Sequence, residues 1–318
     1  DLRSNGGGSL LEATTLTGLF IDTGPVVQVR NSLGRISVEE DVDPGMAWEG
    51  PLAVLVNRYS ASASEIFAAA IQDYNRGLVI GETTFGKGTV QSLLDLDQFA
   101  SADREGLGQL KITMAQFFRV NGGSTQNRGV EPDISFPTWG DPEDYGERSL
   151  DNALPWTSID AARFKSAGEL NQMAAVADAR YRERMVGNQE YDWLISDIEE
   201  FNKRSDETSV SLLESVGRER IAESEARKKE REEARSGPLL DEESELAGAI
   251  DPALGEEDPD EEDAASDGEE EEDEGPDFLL RESARIVADM AELGADVDLL
   301  KRQFAQLHDN SEDAAELP

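Results

Sequence analysis

The sequence predicts an α/β fold followed by a mainly helical extension. Three observations carry this. Short runs rich in β-branched and aromatic residues, bounded by turn residues, recur through positions 1–137. One stretch between two of these runs repeats its apolar residues at helical spacing. After Pro137 the chain becomes rich in turn residues, then in long charged helical patterns.

The strand-like runs are VVQVR (Val26–Arg30), LAVLVN (Leu52–Asn57), LVIGE (Leu78–Glu82), VQSLLDL (Val90–Leu96) and KITMAQFFRV (Lys111–Val120). Between the second and third lies SASASEIFAAAIQDYN, with Ile66, Phe67, Ala70, Ile71 and Tyr74 on one helical face. Strand, helix and strand within about 30 residues predict a βαβ unit. The glycines of NGGST (Asn121–Thr125) predict a hairpin, and RGVEPD (Arg128–Asp133) reads as a loop entering an edge strand. TWGDPEDYGERSLDNALPW is expected to wrap the surface. Residues 160–235 read as helical, and the strongly charged part as an exposed helix ending near Gly237-Pro238. Near the C-terminus, Leu279, Ser283, Ile286, Val287, Met290 and Leu293 form the stripe of one amphipathic helix.

Composition narrows the chemistry. The 318 residues suit about two domains. There is no cysteine and one histidine, His308, which excludes thiolate chemistry and leaves no basis for a histidine general base or a multi-histidine metal site. The net charge of −40 argues against direct nucleic-acid binding. Fifteen of the 22 residues from Glu256 to Asp277 are acidic and none is basic, the composition of a solvated linker. No apolar run is long enough to span a membrane. The opening DLRSNGGG reads as the end of a strand, so an upstream portion is expected.

Gly81–Gln91, GETTFGKGTVQ, contains most of a phosphate-binding loop. Two features remove that reading. Gly88 stands where Ser or Thr would hold magnesium, and a strand pattern follows where a helix should open. Lys87 is left between two glycines. Upstream, Ser60, Ser62 and Ser64 lie at a strand-to-helix boundary. Ser62 with Glu65 has the spacing of a capping box. The other reading is a nucleophile at a helix N-terminus, where the helix stabilises a developing oxyanion. Such a serine needs a base. With no usable histidine the candidate is Lys87, 25 residues on, its pKa lowered by burial.

YSASASEIFAAAIQDYNRGLVIGETTFGKGTVQ resembles the core of the tail-specific proteases, or C-terminal processing peptidases. DLRSNGGG and FFRVNGGSTQNRGVEPDI extend the resemblance over about residues 1–135, and LDNALPW with the helices after it resembles the extension of the long bacterial periplasmic members. The resemblance implies a ClpP/crotonase-like core and a serine endopeptidase with Ser62 as nucleophile, Lys87 as general base and Gln91 orienting the lysine. Strand alternation would set 87 and 91 on one side. It implies an oxyanion hole from the Ala63 N–H and one N–H of Gly6–Gly8, assigned to Gly7. Asp73 matches an acidic position tied to activity; the plainer reading is a structural helix-end carboxylate. Ser60 and Ser64 are read as supports of the turn.

The organisation expected is a truncated catalytic core at 1–137, a wrapping segment and helical extension at 138–240, an acidic linker at 241–277, and an amphipathic helix and tail at 278–318. The resemblance also implies no cofactor and no metal, a periplasmic location, protein substrates taken by apolar C-terminal ends through a PDZ domain upstream, and an adaptor partner. The fragment alone is expected to be weakly active or inactive. The competing readings are an inactive relative that binds C-termini as a scaffold, and a crotonase-like acyl-CoA enzyme; the intact Ser62, Lys87 and Gln91 disfavour the first, the sparse basic residues the second.

Overall fold

A computed structural model describes residues 1–99, 106–235 and 277–315, with side chains described to His308. The described residues fall into two compact units, one running to Ser205 and resuming at Phe278, the other from Asp206 to Asp277. The acidic run lies almost wholly outside the described residues.

The first unit holds two sheets. β1 (Gly24–Asn31), β2 (Ile36–Asp41), β5 (Thr89–Asp95) and β6 (Gln109–Phe118) form an antiparallel sheet in the order β2-β1-β6-β5. β3 (Ala53–Val56), β4 (Leu78–Gly81) and the short β7 (Ile134–Ser135) form a parallel sheet in that order. α2 (Ala63–Asp73) joins β3 to β4 and completes the expected βαβ unit. The strands of that unit are buried end to end apart from Ala53, as a covered parallel sheet requires.

α2 is apolar nearly all round because it is covered on two sides. Ala63, Ile66, Ala70 and Tyr74 pack with Val26, Val27 and Phe117 of the antiparallel sheet. Phe67, Ala68, Ala69 and Ile71 pack with Val54, Val56 and Val79 of the parallel sheet. α1 (Leu10–Gly18), which the sequence pattern did not announce, adds Ala13 to the first cluster.

Beyond the core, α3 (Asn171–Met185) and α4 (Gln189–Ser205) follow an irregular stretch that bonds back to the core through Ala162 N–H to Val120 O and Ala167 N–H to Tyr74 O. The helical reading of 160–235 therefore starts about ten residues too early. The second unit contributes α5 (Glu214–Arg235), which has no buried residue. The C-terminal pattern resolves into two helices, α6 (Phe278–Ala295) and α7 (Val297–Ala315). Asp296 separates them and caps the second by accepting the Leu299 N–H at 2.9 Å. NGGST makes a tight turn, closed by Arg119 N–H to Gly123 O, and not a two-stranded hairpin, because the chain leaves to bridge Ser158.

The α6 stripe is a packing face. Ile286, Met290 and Leu293 join Met173, Val176 and Tyr181 of α3 and Leu78, Ile80 and Ile134 of the parallel sheet in one cluster. Arg180 and Arg184 on α3 pair with Asp289, and Arg184 also with the fully buried Glu282 at 3.1 Å. No described helix is long and apolar enough to cross a membrane.

If α6 is integral to the core, Ile286→Ala should lower unfolding stability by about 2–5 kcal/mol. Leu212→Ala, at a position 98% exposed, should change it by less than about 0.5 kcal/mol. Urea unfolding of both variants checks this; equal midpoints would separate α6 from the core.

Candidate active site

Ser62 ends the turn from β3 into α2 and is the helix N-cap. Its backbone sits at φ 58°, ψ −114°, a conformation residues with a Cβ seldom adopt. The surrounding turn is tied down to hold it there. Ser60 Oγ donates to Leu2 O at 2.7 Å, and Ser64 Oγ donates to Asn5 Oδ1 at 2.9 Å. The Ala61 N–H donates to Asn5 O at 3.0 Å. Ser60 and Ser64 thus fasten the turn to the N-terminal segment, and Ser62 is held between them, half-buried.

Gly7 touches this turn directly. A Cβ there would stand 2.6 Å from Ala61 O, 2.7 Å from Ala63 N and 2.9 Å from Ser62 Cβ, and φ is +94°. Only glycine fits. The Gly7 N–H itself donates to Asn5 Oδ1 at 2.9 Å, so here it is engaged within its own loop. Ala63, first residue of α2, carries an N–H with no intrahelical partner.

Lys87 lies two residues ahead of β5, half-buried. Its loop is stapled to the serine turn by a residue that sequence reasoning placed only in a cap. Glu65 is fully buried on the first turn of α2. Its carboxylate accepts the Ser62 N–H at 2.8 Å, the Thr84 hydroxyl at 2.6 Å, the Gly86 N–H at 2.7 Å and the Lys87 N–H at 3.0 Å. The S-x-x-E spacing was the available signal, but nothing local to it shows the partners near residue 86. Burial pushes the Glu65 carboxyl up from 4.5 to about 7, against the pull of these four donors.

On the far side, Gly88 N–H donates to Gln126 Oε1 at 2.9 Å, Thr125 Oγ1 to Lys87 O at 3.1 Å, and Asn127 N–H to Gly86 O at 2.8 Å. A Cβ on Gly88 would meet Ser124 Oγ at 2.7 Å. The GERSLDNALPW segment braces this loop in turn. Glu147 N–H donates to Phe85 O at 2.9 Å, and Trp156 Nε1 donates to Ser124 O at 2.8 Å. Arg128 stacks on the Trp156 ring at 3.9 Å.

Gln91 lies in β5, exposed, beside a register irregularity. Among the described residues, Lys87 Nζ and the Gln91 side chain share no hydrogen bond. Asp73 ends α2, an 11-residue helix, so it stands roughly 16 Å from Ser62. Its carboxylate, buried, pairs with Arg119 at 2.5 Å and accepts from Asn121 Nδ2 at 2.8 Å. A cavity of about 360 Å³ opens beside Asn57–Tyr59, lined also by Phe136, Trp139 and Phe201, with the buried Arg58–Glu82 pair at 2.9 Å in its wall.

A mixed α/β core thus strains a serine at a helix start and ties a lysine-bearing loop to the same turn through one buried carboxylate. Residues 1–136 match the sequence model of peptidase family S41, and residues 140–292 match that of the C-terminal domain of tail specific protease. The chain belongs to peptidase family S41, in its tail-specific-protease form. It is 47% identical to the tail-specific protease of Haemophilus influenzae over 67% of this chain and 31% of that protein. It is 38% identical to the carboxy-terminal-processing protease of Bartonella bacilliformis over 42% of this chain and 29% of that protein. Among solved structures, the photosystem II D1 C-terminal processing protease is similar at 34% identity, covering 45% of this chain and 34% of its own, with a TM-score of 0.36. The chain thus spans less than a third of the length of these two curated relatives.

The Glu65 shift has a sign that can be checked. Its folded pKa lies above the unfolded value, so the folded state binds a proton the unfolded state has lost between about pH 4.5 and 7. Stability should fall as pH rises through that window, by roughly 3 kcal/mol for this group. Chemical denaturation of Glu65→Gln should show a correspondingly flatter pH dependence; an unchanged slope would mean Glu65 is not the titrating group.

Proposed function

We propose that this chain carries the catalytic centre of a serine endopeptidase whose nucleophile is Ser62 and whose general base is Lys87. The single observation that carries the reading is the coupling of two loops through Glu65, which fixes the backbone of the strained serine and of the lysine to one carboxylate. A structural cap alone has no need of the second loop.

In this reading unprotonated Lys87 Nζ takes the proton from Ser62 Oγ as the oxygen attacks the scissile carbonyl. The oxyanion forms at the N-terminus of α2, against the Ala63 N–H and a second N–H of the Gly6–Gly8 segment. With the Gly7 N–H engaged by Asn5, the second donor is a neighbouring glycine or a Gly7 released when substrate enters. Lys87 then gives its proton to the leaving amine and draws one from the water that cleaves the ester. Gln91 orients the lysine once substrate covers the open face of β5. Asp73 supports the site at a distance, by fixing the far end of α2 to Arg119.

One relative is named a tail-specific protease and another a carboxy-terminal-processing protease, which supports protein substrates taken near their C-termini. The same likeness to bacterial tail-specific proteases supports a periplasmic site of action. The Gly146–Trp156 segment after Pro137 serves as a brace for the lysine loop.

In the full-length protein, Ser62→Ala and Lys87→Ala should each lower kcat/KM for a peptide with an apolar C-terminus by on the order of 10³-fold or more. Labelling of Ser62 by a small serine-reactive acylating probe should require Lys87. Cleavage at the wild-type rate by either variant would exclude the pair, and an unlabelled wild-type protein would favour a non-enzymatic binder of C-termini.

A further inference from the structure

The extension reaches the lysine loop through three consecutive residues, Tyr145-Gly146-Glu147. They lie in the part of the chain that matches the tail-specific C-terminal domain, whereas the loop lies in the part that matches the peptidase. The Arg58 guanidinium stacks on the Tyr145 ring, 4.4 Å from its centroid, and Arg58 begins the turn that carries Ser62. Gly146 has φ +80° and runs so close to Phe85 O that a Cβ there would collide with it. The Glu147 N–H donates to that same oxygen at 2.9 Å, and the Glu147 carboxylate accepts from Gln126 Nε2 at 3.1 Å.

The main chain around Lys87 is fully bonded. The Phe85 N–H donates to Ser60 O at 3.0 Å, and Gly88 O accepts the Phe117 N–H at 2.9 Å. Glu65 accepts the N–H groups of Gly86 and Lys87, while Asn127 and Thr125 donate to the carbonyls of the same two residues. Two groups are left, Phe85 O and the Gly88 N–H, one on each side of Lys87. Glu147 governs both. It donates to the first directly, and it reaches the second through Gln126, which accepts the Gly88 N–H at 2.9 Å.

Gln126 is fully buried, so the direction of its amide matters. The Gly88 N–H can only donate and the Glu147 carboxylate accepts, which admits one orientation of the amide between them. Without that carboxylate, Nε2 would keep only Asn127 Oδ1, at 3.4 Å. A buried amide short of a partner turns or withdraws to find one, and either movement releases the residue next to Lys87.

We propose that Glu147 is a positioning residue of the Ser62–Lys87 pair, acting on the lysine loop through Phe85 O and through the Gln126 amide. This rests on the endopeptidase reading above. A residue of the extension thereby sets where the base stands relative to the nucleophile, without touching either.

The test uses the full-length protein, a peptide with an apolar C-terminus and the small acylating probe. Glu147→Leu keeps the N–H to Phe85 O but removes the acceptor from Gln126. It should lower kcat about tenfold with KM within about twofold, and slow the labelling of Ser62 by a similar factor, because a misplaced base impairs attack and not binding. Glu147→Gln can still turn an oxygen toward Gln126 and should restore most of what leucine loses. Gln126→Glu sets two carboxylates against each other and should slow labelling as well. Adding Glu147→Gln to it exchanges donor and acceptor across the pair and should recover the rate. That rescue reads the hydrogen bond itself, even if the leucine variant misfolds. Wild-type labelling and kcat in Glu147→Leu, a loss confined to KM, or an equal deficit in Gln126→Glu with and without the exchange would each overturn the positioning role and leave the endopeptidase standing. A wild-type protein that is neither labelled nor active would remove the endopeptidase reading beneath it.

Discussion

The Glu65 carboxylate accepts four hydrogen bonds from two segments that are remote in sequence, and the site depends on this convergence. One donor is the N–H of the strained serine, and three come from Thr84, Gly86 and Lys87. Burying a carboxylate is costly unless its lone pairs are met, and here they are met by fixed donors. The reverse also holds, because the same amides would be left unpaired in the interior without an acceptor. Neither loop keeps its shape alone. Thr84 extends the connection, since its hydroxyl also accepts the Val130 N–H at 2.7 Å. Serine turn, lysine loop and the 124–130 loop are therefore one hydrogen-bonded body.

Two outlying segments hold that body from opposite sides. Leu2–Asn5 accepts from Ser60, Ala61 and Ser64, and so fixes the start of α2. Gly146–Trp156 bonds to Phe85, Gln126 and Ser124, and so fixes the lysine loop. The second brace comes from the part of the chain that matches the tail-specific C-terminal domain. The helices beyond it pack on the opposite side of the parallel sheet, through Ile286 and Leu293. The extension thus braces the lysine loop through one segment and packs on the parallel sheet through another.

The buried elements were legible in the sequence because their side chains had one environment to satisfy. β1, β3, β4 and α2 follow from apolar runs and turn residues, and β5 and β6, exposed along most of their length, follow from β-branched and aromatic content. α1 was not, because LLEATTLTG is threonine-rich and looks strand-like. Thr14 and Thr17 can be buried within the helix because their hydroxyls donate back to Leu10 O and Ala13 O, at 3.0 and 2.8 Å. β2, ISVEED, is exposed along most of its length, and its alternation of Ile36 and Val38 with polar residues is too short to mark a strand. Candidate site residues were visible as types at suggestive spacing, but the role of Glu65 was hidden. Its partners lie 19–22 residues away, and only the fold brings them to it.

A cap at Ser62 is compatible with the proposed nucleophile there once both ends of α2 are considered. Glu65 fills the capping-box role on the Ser62 N–H, and a negative group on the first turn suits the positive end of the helix. Capping is thus what fixes the turn that presents the serine. At the other end Asp73 sits where the helix is negative, an unfavourable place for a carboxylate. Arg119 and Asn121 offset that, and Arg119 also holds Gln72 at 2.8 Å. A charge some 16 Å from Ser62 and neutralised in place exerts little direct field there. Any influence of Asp73 on Ser62 must pass through the position of the helix, because α2 is the one rigid element that reaches both.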